Sequence, residues 1–271
     1  TPISKKDIHR FIMLQRAGEL DFISMPSIPS TNTEFDRIAD SFTEEILSEN
    51  EEPLIYVDMG LDQDIFRNRV STLLDLVHTG QIHTIGLIYR SWTKYEQNYE
   101  YIWDKIRPEE VFLQMSEVPR EFAHTRTTST MHLLQKFGID SFSVRLVTGR
   151  NTNKDAGTET NLNHLLTKRR FDPGPLVFRN FSDWMNHNAS LECDCPICTG
   201  KTPEEFVGAY RGRYENYPGE TFLAANKLHE YYRSTEEFKL SRCYIVDGEL
   251  KDYFKNKDGL RSSDRPIQTR F

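Results

Sequence analysis

Long apolar runs are missing from this chain. No stretch approaches the roughly 18 consecutive apolar residues that a membrane-spanning helix needs. Thr1-Pro2-Ile3-Ser4-Lys5-Lys6 lacks the pattern of a secretory signal peptide. Low-complexity tracts are absent too, and 37% hydrophobic with 12% aromatic residues is enough for a packed core. An excess of basic charge is lacking. With 34 Lys and Arg against 41 Asp and Glu the net charge is −7, which excludes a wholly basic nucleic-acid binder but leaves room for a local basic patch. No Gly-x-Gly-x-x-Gly or Walker sequence follows any apolar run, so the common phosphate-cradling loops are not indicated. Together these absences predict a soluble, cytoplasmic protein with no membrane partner, whose cysteines stay reduced.

Cysteine is scarce, and its distribution is uneven. Three of four fall within six residues, Cys193-Asp194-Cys195-Pro196-Ile197-Cys198. Thiolate sulfur and imidazole nitrogen close tetrahedral structural zinc sites, and one tight C-x-C-x-x-C turn supplies three such ligands. A disulfide framework fits less well, because bridges within C-x-C are strained and Cys243 would join dissimilar segments. For the fourth ligand, His187 lies close in sequence and Cys243 is a suitable thiol. His229 is favoured, because it falls in a helical pattern and a rigid helix would staple the loop to the body of the protein. Four protein ligands leave no open position for water, so the expected Zn²⁺ is structural.

Upstream, short β-rich runs recur about every thirty residues. They are Asp21–Met25, Leu54–Asp58, His83–Tyr89, Val111–Met115 and Ser141–Val147, with helical spacing between them, as in Phe66, Val70, Leu73 and Leu74. Serial β-α units imply a parallel sheet, in a barrel or an open doubly wound fold, and the missing phosphate loops favour the barrel. Met131, Leu133, Leu134 and Phe137 extend the pattern, with Gly138 placed as a helix C-cap. Residues 148–163 read as a long polar loop. The expected fold is therefore α/β: a TIM-like (β/α) barrel, incomplete or divergent, over 1–175, then a zinc-binding helical module over 176–271. In that module Thr202 and Glu205 form a capping box with Pro203 at the first helical position. Two further helices are expected, over Thr221–Tyr232 and Glu236–Phe254.

A barrel followed by Cys193-x-Cys195-x-x-Cys198, then Thr202-Pro203-Glu204-Glu205-Phe206, a helix opening Phe222-Leu223-Ala224, and Tyr244-Ile245-Val246-Asp247-Gly248-Glu249-Leu250 resembles the tRNA-guanine transglycosylase family. That family includes relatives that insert 7-deazaguanines into DNA. Gly138-Ile139-Asp140-Ser141-Phe142-Ser143 is similar to the family's Gly-Ile-Asp-x-Phe-Asp segment, and Thr148-Gly149-Arg150-Asn151 falls where it has a Pro-Thr-Arg loop. Leu54–Gly60 and Ile85-Gly86-Leu87 resemble two of its substrate-pocket strands. The resemblance spans about residues 50–260. It implies exchange of guanine in tRNA or DNA for a 7-deazaguanine base, structural zinc on Cys193, Cys195, Cys198 and His229, and a homodimer or a heterodimer with a related catalytic chain.

The chain also departs from the family pattern. Ser143 stands where the family has its nucleophilic aspartate, no Asp-Ser-Gly-Gly-Phe-Gln strand is present, and Asn226 occupies the place of the zinc histidine, one turn before His229. Base exchange needs a carboxylate to attack the anomeric carbon and an acid or base for the departing guanine. Asp140, at the mouth of a strand, and Asp58, at the end of another, are the replacement candidates. Each also suits a plain role as cap or salt-bridge partner. Lys168, Arg169 and Arg170, with Arg150, are candidates for phosphate contacts, although a charge run is also the usual look of a solvated face. A non-catalytic, zinc-stapled accessory subunit that binds nucleic acid or dimerises is the alternative reading.

Overall fold

The structure is a computed structural model that describes residues 3–18, 22–106, 109, 111–119, 134–144, 169–186, 193–210, 220–247, 249–255 and 257. These fall into two compact units, one drawn from residues up to 119 with 134–144, the other from 169 onward.

In the first unit five strands follow the five apolar runs: β1 (Ile23–Met25), β2 (Pro53–Asp58), β3 (Thr84–Ile88), β4 (Phe112–Val118) and β5 (Ser141–Val144). All pair in parallel, in the order β1-β2-β3-β4-β5. Four helices precede or connect them: α1 (Lys5–Ala17), α2 (Asn32–Leu47), α3 (Gln63–His78) and α4 (Glu96–Lys105). Their starts are set by local chemistry. The Ser4 hydroxyl and the Asp7 carboxylate close a capping box on α1, and Thr31 accepts the Glu34 N–H at the start of α2.

Sequential order has a physical consequence. Right-handed crossovers that always step in one direction put every connecting helix on the same face of the sheet. Burial agrees with this. Ile55, Val57, Ile85, Leu87, Leu113 and Met115 alternate along β2–β4 and are at most 1% exposed, matching the buried Phe35, Ile38 and Phe42 of α2 and Phe66, Val70 and Leu73 of α3. The opposite face carries Tyr56, Asp58, Gln114 and Ser116, all partly exposed. Parallel sheets are ordinarily apolar on both faces. This one is apolar on the helix side and mixed on the other, where Leu54 and Ile88 sit beside the polar residues.

The sheet does not close among the described residues: β1 and β5 each have one strand partner. The class established is therefore α/β with a five-stranded parallel sheet. The outer edge of β1 is covered by α1, whose Gln15 amide accepts the Ser24 N–H at 2.8 Å and donates to the Ser24 carbonyl at 2.9 Å. Gly138 ends a short 3-10 turn (Gln135–Phe137) with φ of 75°, the left-handed cap expected of it. The rest of the helix anticipated before it, and the polar loop over 148–163, lie outside the described residues.

Gly86 shows why one strand position must lack a side chain. A Cβ there would lie 2.5 Å from Cδ1 of Tyr56, whose ring crosses β3 so that its hydroxyl donates to the Gln114 Oε1 on β4. Gly86→Ala is expected to cost about 1–3 kcal/mol, as overpacking does. The cost should disappear in a Tyr56→Ala background, and urea unfolding of the four proteins measures both. Equal stability of Gly86→Ala and the parent would show that the ring yields freely.

The second unit opens with a hairpin, β6 (Arg169–Asp172) antiparallel to β7 (Val177–Asn180). Residues 169–175, assigned from sequence to the barrel side of a boundary at 175, thus sit in the second unit. Helices α5 (Phe181–Asn186), α6 (Pro203–Tyr210), α7 (Glu220–Val246) and α8 (Leu250–Lys255) follow. Phe181, Phe206, Val207, Phe222 and Ala225 form its core together with Cys195 and Cys198. The two helices expected across residues 221–254 are mostly one. No Gly or Pro interrupts Glu220–Val246, and Thr235, read as part of a break, returns its hydroxyl to the Tyr231 carbonyl at 2.9 Å within an unbroken helix.

Candidate metal centre

The cysteine loop is shaped by its own backbone. Cys198 and Thr199 N–H both donate to the Cys195 carbonyl at 2.9 Å, and the Thr199 hydroxyl donates to the carbonyls of Asp194 and Cys195. Gly200, at φ of 73°, turns the chain out. The expected capping box then starts α6: Thr202 N–H donates to Glu205 at 2.8 Å and Glu205 N–H to the Thr202 hydroxyl at 3.2 Å. Tyr210 at the far end of α6 donates back to the Ile197 carbonyl, and Arg233 of α7 pairs with Asp194 at 2.6 Å.

This loop meets α7 at His229. The ligand atoms of Cys193, Cys195, Cys198 and His229 all lie within 4.8 Å of one another. His229 Nδ1 is 3.4 Å from the Cys193 sulfur, 3.5 Å from that of Cys195 and 3.4 Å from that of Cys198. A tetrahedron with metal–sulfur distances of about 2.3 Å and metal–nitrogen of about 2.0 Å has sulfur–nitrogen edges of roughly 3.5 Å. The four residues are therefore arranged to bind a metal ion.

The imidazole is also oriented for the task. Its Nε2 is 2.8 Å from the Phe171 carbonyl, which can only accept. Nε2 therefore carries the proton, leaving the Nδ1 lone pair directed at the three sulfurs. Of the other ligands considered, Cys243 is exposed on α7 and does not belong to the cluster, and His187 lies outside the described residues. The thiols respond to one another. The hydrogen bond from Cys198 pushes Cys193 down to about 3, while donating that bond pushes Cys198 up. A divalent ion at the centre would make three thiolates compatible.

Arg170 departs from expectation. Read as part of a phosphate-facing run, it is 1% exposed and turned into the second unit. Its Nη1 donates to Asn226 Oδ1 at 3.0 Å and its Nη2 to the Cys198 sulfur, with Nη2 also 3.2 Å from His229 Nδ1. The guanidinium lies over the Phe206 ring at 4.7 Å. A buried cation held this way has no surface to offer a nucleic-acid backbone. Arg169, its neighbour on β6, is partly exposed, and Lys168 and Arg150 lie outside the described residues. Asn226 and His229, three apart on α7, share one face, so the residue in the place of the family histidine holds Arg170 while His229 completes the cluster.

The two candidate carboxylates are not brought together. Asp58 ends β2, where it accepts from Arg90 at 2.6 Å and from the Gly60 N–H at 2.7 Å, and Arg90 also pairs with Glu117 at 2.9 Å. Asp140 precedes β5 and accepts the Leu113 N–H at 2.8 Å. Leu113 is level with Ile85, and Ile85 with Ile55, three residues before Asp58. The two carboxylates are thus offset by roughly 10 Å along the strands and by three strand spacings, roughly 14 Å, across them. Carboxylates that flank one glycosidic bond sit about 5–9.5 Å apart. Ser143, near the end of β5, is exposed and shares the carboxyl side of the sheet with Asp58.

No family model matches the chain, and neither a curated protein nor a solved structure matches it. No helix among the described residues is long and apolar enough to cross a membrane.

Proposed function

We propose that the chain is a transglycosylase-like protein that exchanges guanine in tRNA or DNA for a 7-deazaguanine base, with Zn²⁺ at Cys193, Cys195, Cys198 and His229 as a structural staple. The observation that carries this reading is the convergence of His229 on the three cysteines with tetrahedral spacing, downstream of a singly wound parallel sheet. Sequential strand order is how a (β/α) barrel begins, and the polar face with Tyr56, Gln114 and Ser116 is what a barrel would turn inward toward a substrate. Four protein ligands fill a zinc tetrahedron, so the metal supplies fold and not a reactive water. Asp140 and Asp58 are the carboxylates available for the exchange.

A second reading has its own support. Asp58 and Asp140 lie far apart and serve backbone and arginine partners, and Ser143 offers no carboxylate. An accessory subunit that binds nucleic acid or dimerises with a related catalytic chain needs none of the three. The discriminating assay incubates the purified protein with labelled guanine and either tRNA or double-stranded DNA. On the enzymatic reading label enters one polymer, and Asp140→Asn abolishes turnover while leaving binding of the polymer intact. Binding without exchange, in the parent as in Asp140→Asn, selects the accessory subunit.

A further inference from the structure

We infer that Arg170 is the outer partner of the metal centre: its guanidinium neutralises the tris-thiolate site and shields one particular sulfur, that of Cys198. The inference rests on the metal reading of the four ligands and is independent of base exchange.

Charge counting poses the problem that Arg170 answers. Three thiolates, one neutral imidazole and a divalent ion sum to −1. Cys195 and Cys198 are fully buried, His229 is 1% exposed and Cys193 is partly buried, so most of that charge sits out of water, where an unpaired charge is costly. Arg170 is likewise buried and brings the missing +1. Its placement is constrained from several directions: Asn226 Oδ1 holds Nη1 at 3.0 Å, the Phe206 ring lies against the guanidinium face, and β6 fixes the backbone. A second nitrogen, Nη2, is directed to Cys198. A planar fork that binds an amide oxygen with one arm and sulfur with the other is a geometry lysine cannot copy. Phe171, the next residue, supplies the carbonyl that orients His229. Two consecutive residues of β6 thus hold two of the four ligands.

The contact is asymmetric, and that gives the test its specificity. Among the described residues the guanidinium donates to Cys198 and to neither of the other sulfurs. A thiolate that accepts a charge-assisted hydrogen bond is less nucleophilic than one with neutral donors alone, so in the zinc-loaded protein Cys198 should be the last of the three to be alkylated.

The experiment uses the full chain loaded with Zn²⁺, as parent, Arg170→Lys and Arg170→Met. Chelator competition gives metal affinity, and peptide mass spectrometry after limited alkylation gives the order in which the sulfurs react. Outer partners of metal ligands typically contribute 10–100-fold in affinity. We expect Arg170→Met to lose about that factor and Arg170→Lys less, with Cys198 no longer the last sulfur in the alkylation order in both. Should Arg170→Met fail to fold, Arg170→Lys and Asn226→Ala, which frees one arm of the fork, carry the same readouts. Unchanged affinity and unchanged alkylation order in the folded variants would overturn the proposal, whatever happens to thermal stability. A parent chain that binds no Zn²⁺ would instead overturn the metal reading itself.

Discussion

Cys195→Ser is expected to leave the second unit without metal and unfolded. Cys195 is fully buried among Phe181, Phe206 and Phe222, and its sulfur is one of three that face the His229 Nδ1. Structural zinc contributes apparent binding free energies of about 10–16 kcal/mol in small modules, and this binding is coupled to folding. That is comparable to the entire stability of most domains, about 5–15 kcal/mol. Serine offers a harder and less acidic ligand, so most of the coupling should vanish. Strong chelation of the parent should have the same result. Metal analysis is expected to give one zinc per parent chain and none in the variant. Hydrogen exchange should localise the loss of protection to residues 169–257, with the strands β2–β4 still protected. A variant that kept both zinc and its melting temperature would sink the assignment.

The second large effect is expected at Glu237. Its carboxylate pairs with Lys257 at 2.7 Å, with the two side chains 7% and 10% exposed, and it accepts from the Tyr253 hydroxyl at 3.0 Å. Lys257 also donates to the Pro173 carbonyl at 2.8 Å, so one ion pair joins α7, the segment after α8 and the β6–β7 turn. Removing one member of a buried pair strands the other charge, which costs about 3–5 kcal/mol, whereas replacing both by apolar groups of similar volume is often neutral or better. Glu237→Ala should therefore lose about 3–5 kcal/mol in urea unfolding, and Glu237→Met with Lys257→Met should recover most of it. If the double variant were no better than the single one, the pair would be contributing attraction beyond its desolvation cost.

The two halves of the chain differed in how much their sequence disclosed. The five strands were readable because each is a short apolar run bounded by polar or turn residues, and a residue such as Val57 or Leu87 has no other stable place than the interior. The metal ligands were readable because C-x-C-x-x-C is chemically narrow. Arg170 was not. A basic triplet has the same appearance on a solvated face as beside a buried thiolate, and only the pairing of β6 with β7 under α7 decides between them. One signal did exist: a site with three thiolates requires a nearby cation, and that requirement could have been set against the basic residues of the same module. The end of the sheet at which Asp140 lies was hidden for a different reason: a residue beside an apolar run does not disclose which edge it occupies, and Asp140 comes one residue before β5. The residue before a strand lies on the amino edge of a parallel sheet, whereas reactive groups of barrels sit on the carboxyl edge. The continuity of α7 was missed because Ser234-Thr235 looks like a break, yet Ser234 is buried and Thr235 satisfies its hydroxyl within the helix.

Strand order also sets a timetable for synthesis. Met25 meets Ile55, and Ile55 meets Ile85, so each new strand finds its partner about thirty residues behind it on the chain. A sheet of this kind can be laid down strand by strand as it leaves the ribosome, with each βα unit docking on the last. The metal module cannot proceed that way. Its hairpin, cysteine loop and helix are joined only when His229 reaches Phe171 and the three sulfurs, 58 and up to 36 residues behind it. Until that moment three soft nucleophiles are exposed, and the availability of zinc, not the local propensity of the chain, decides how long they stay so.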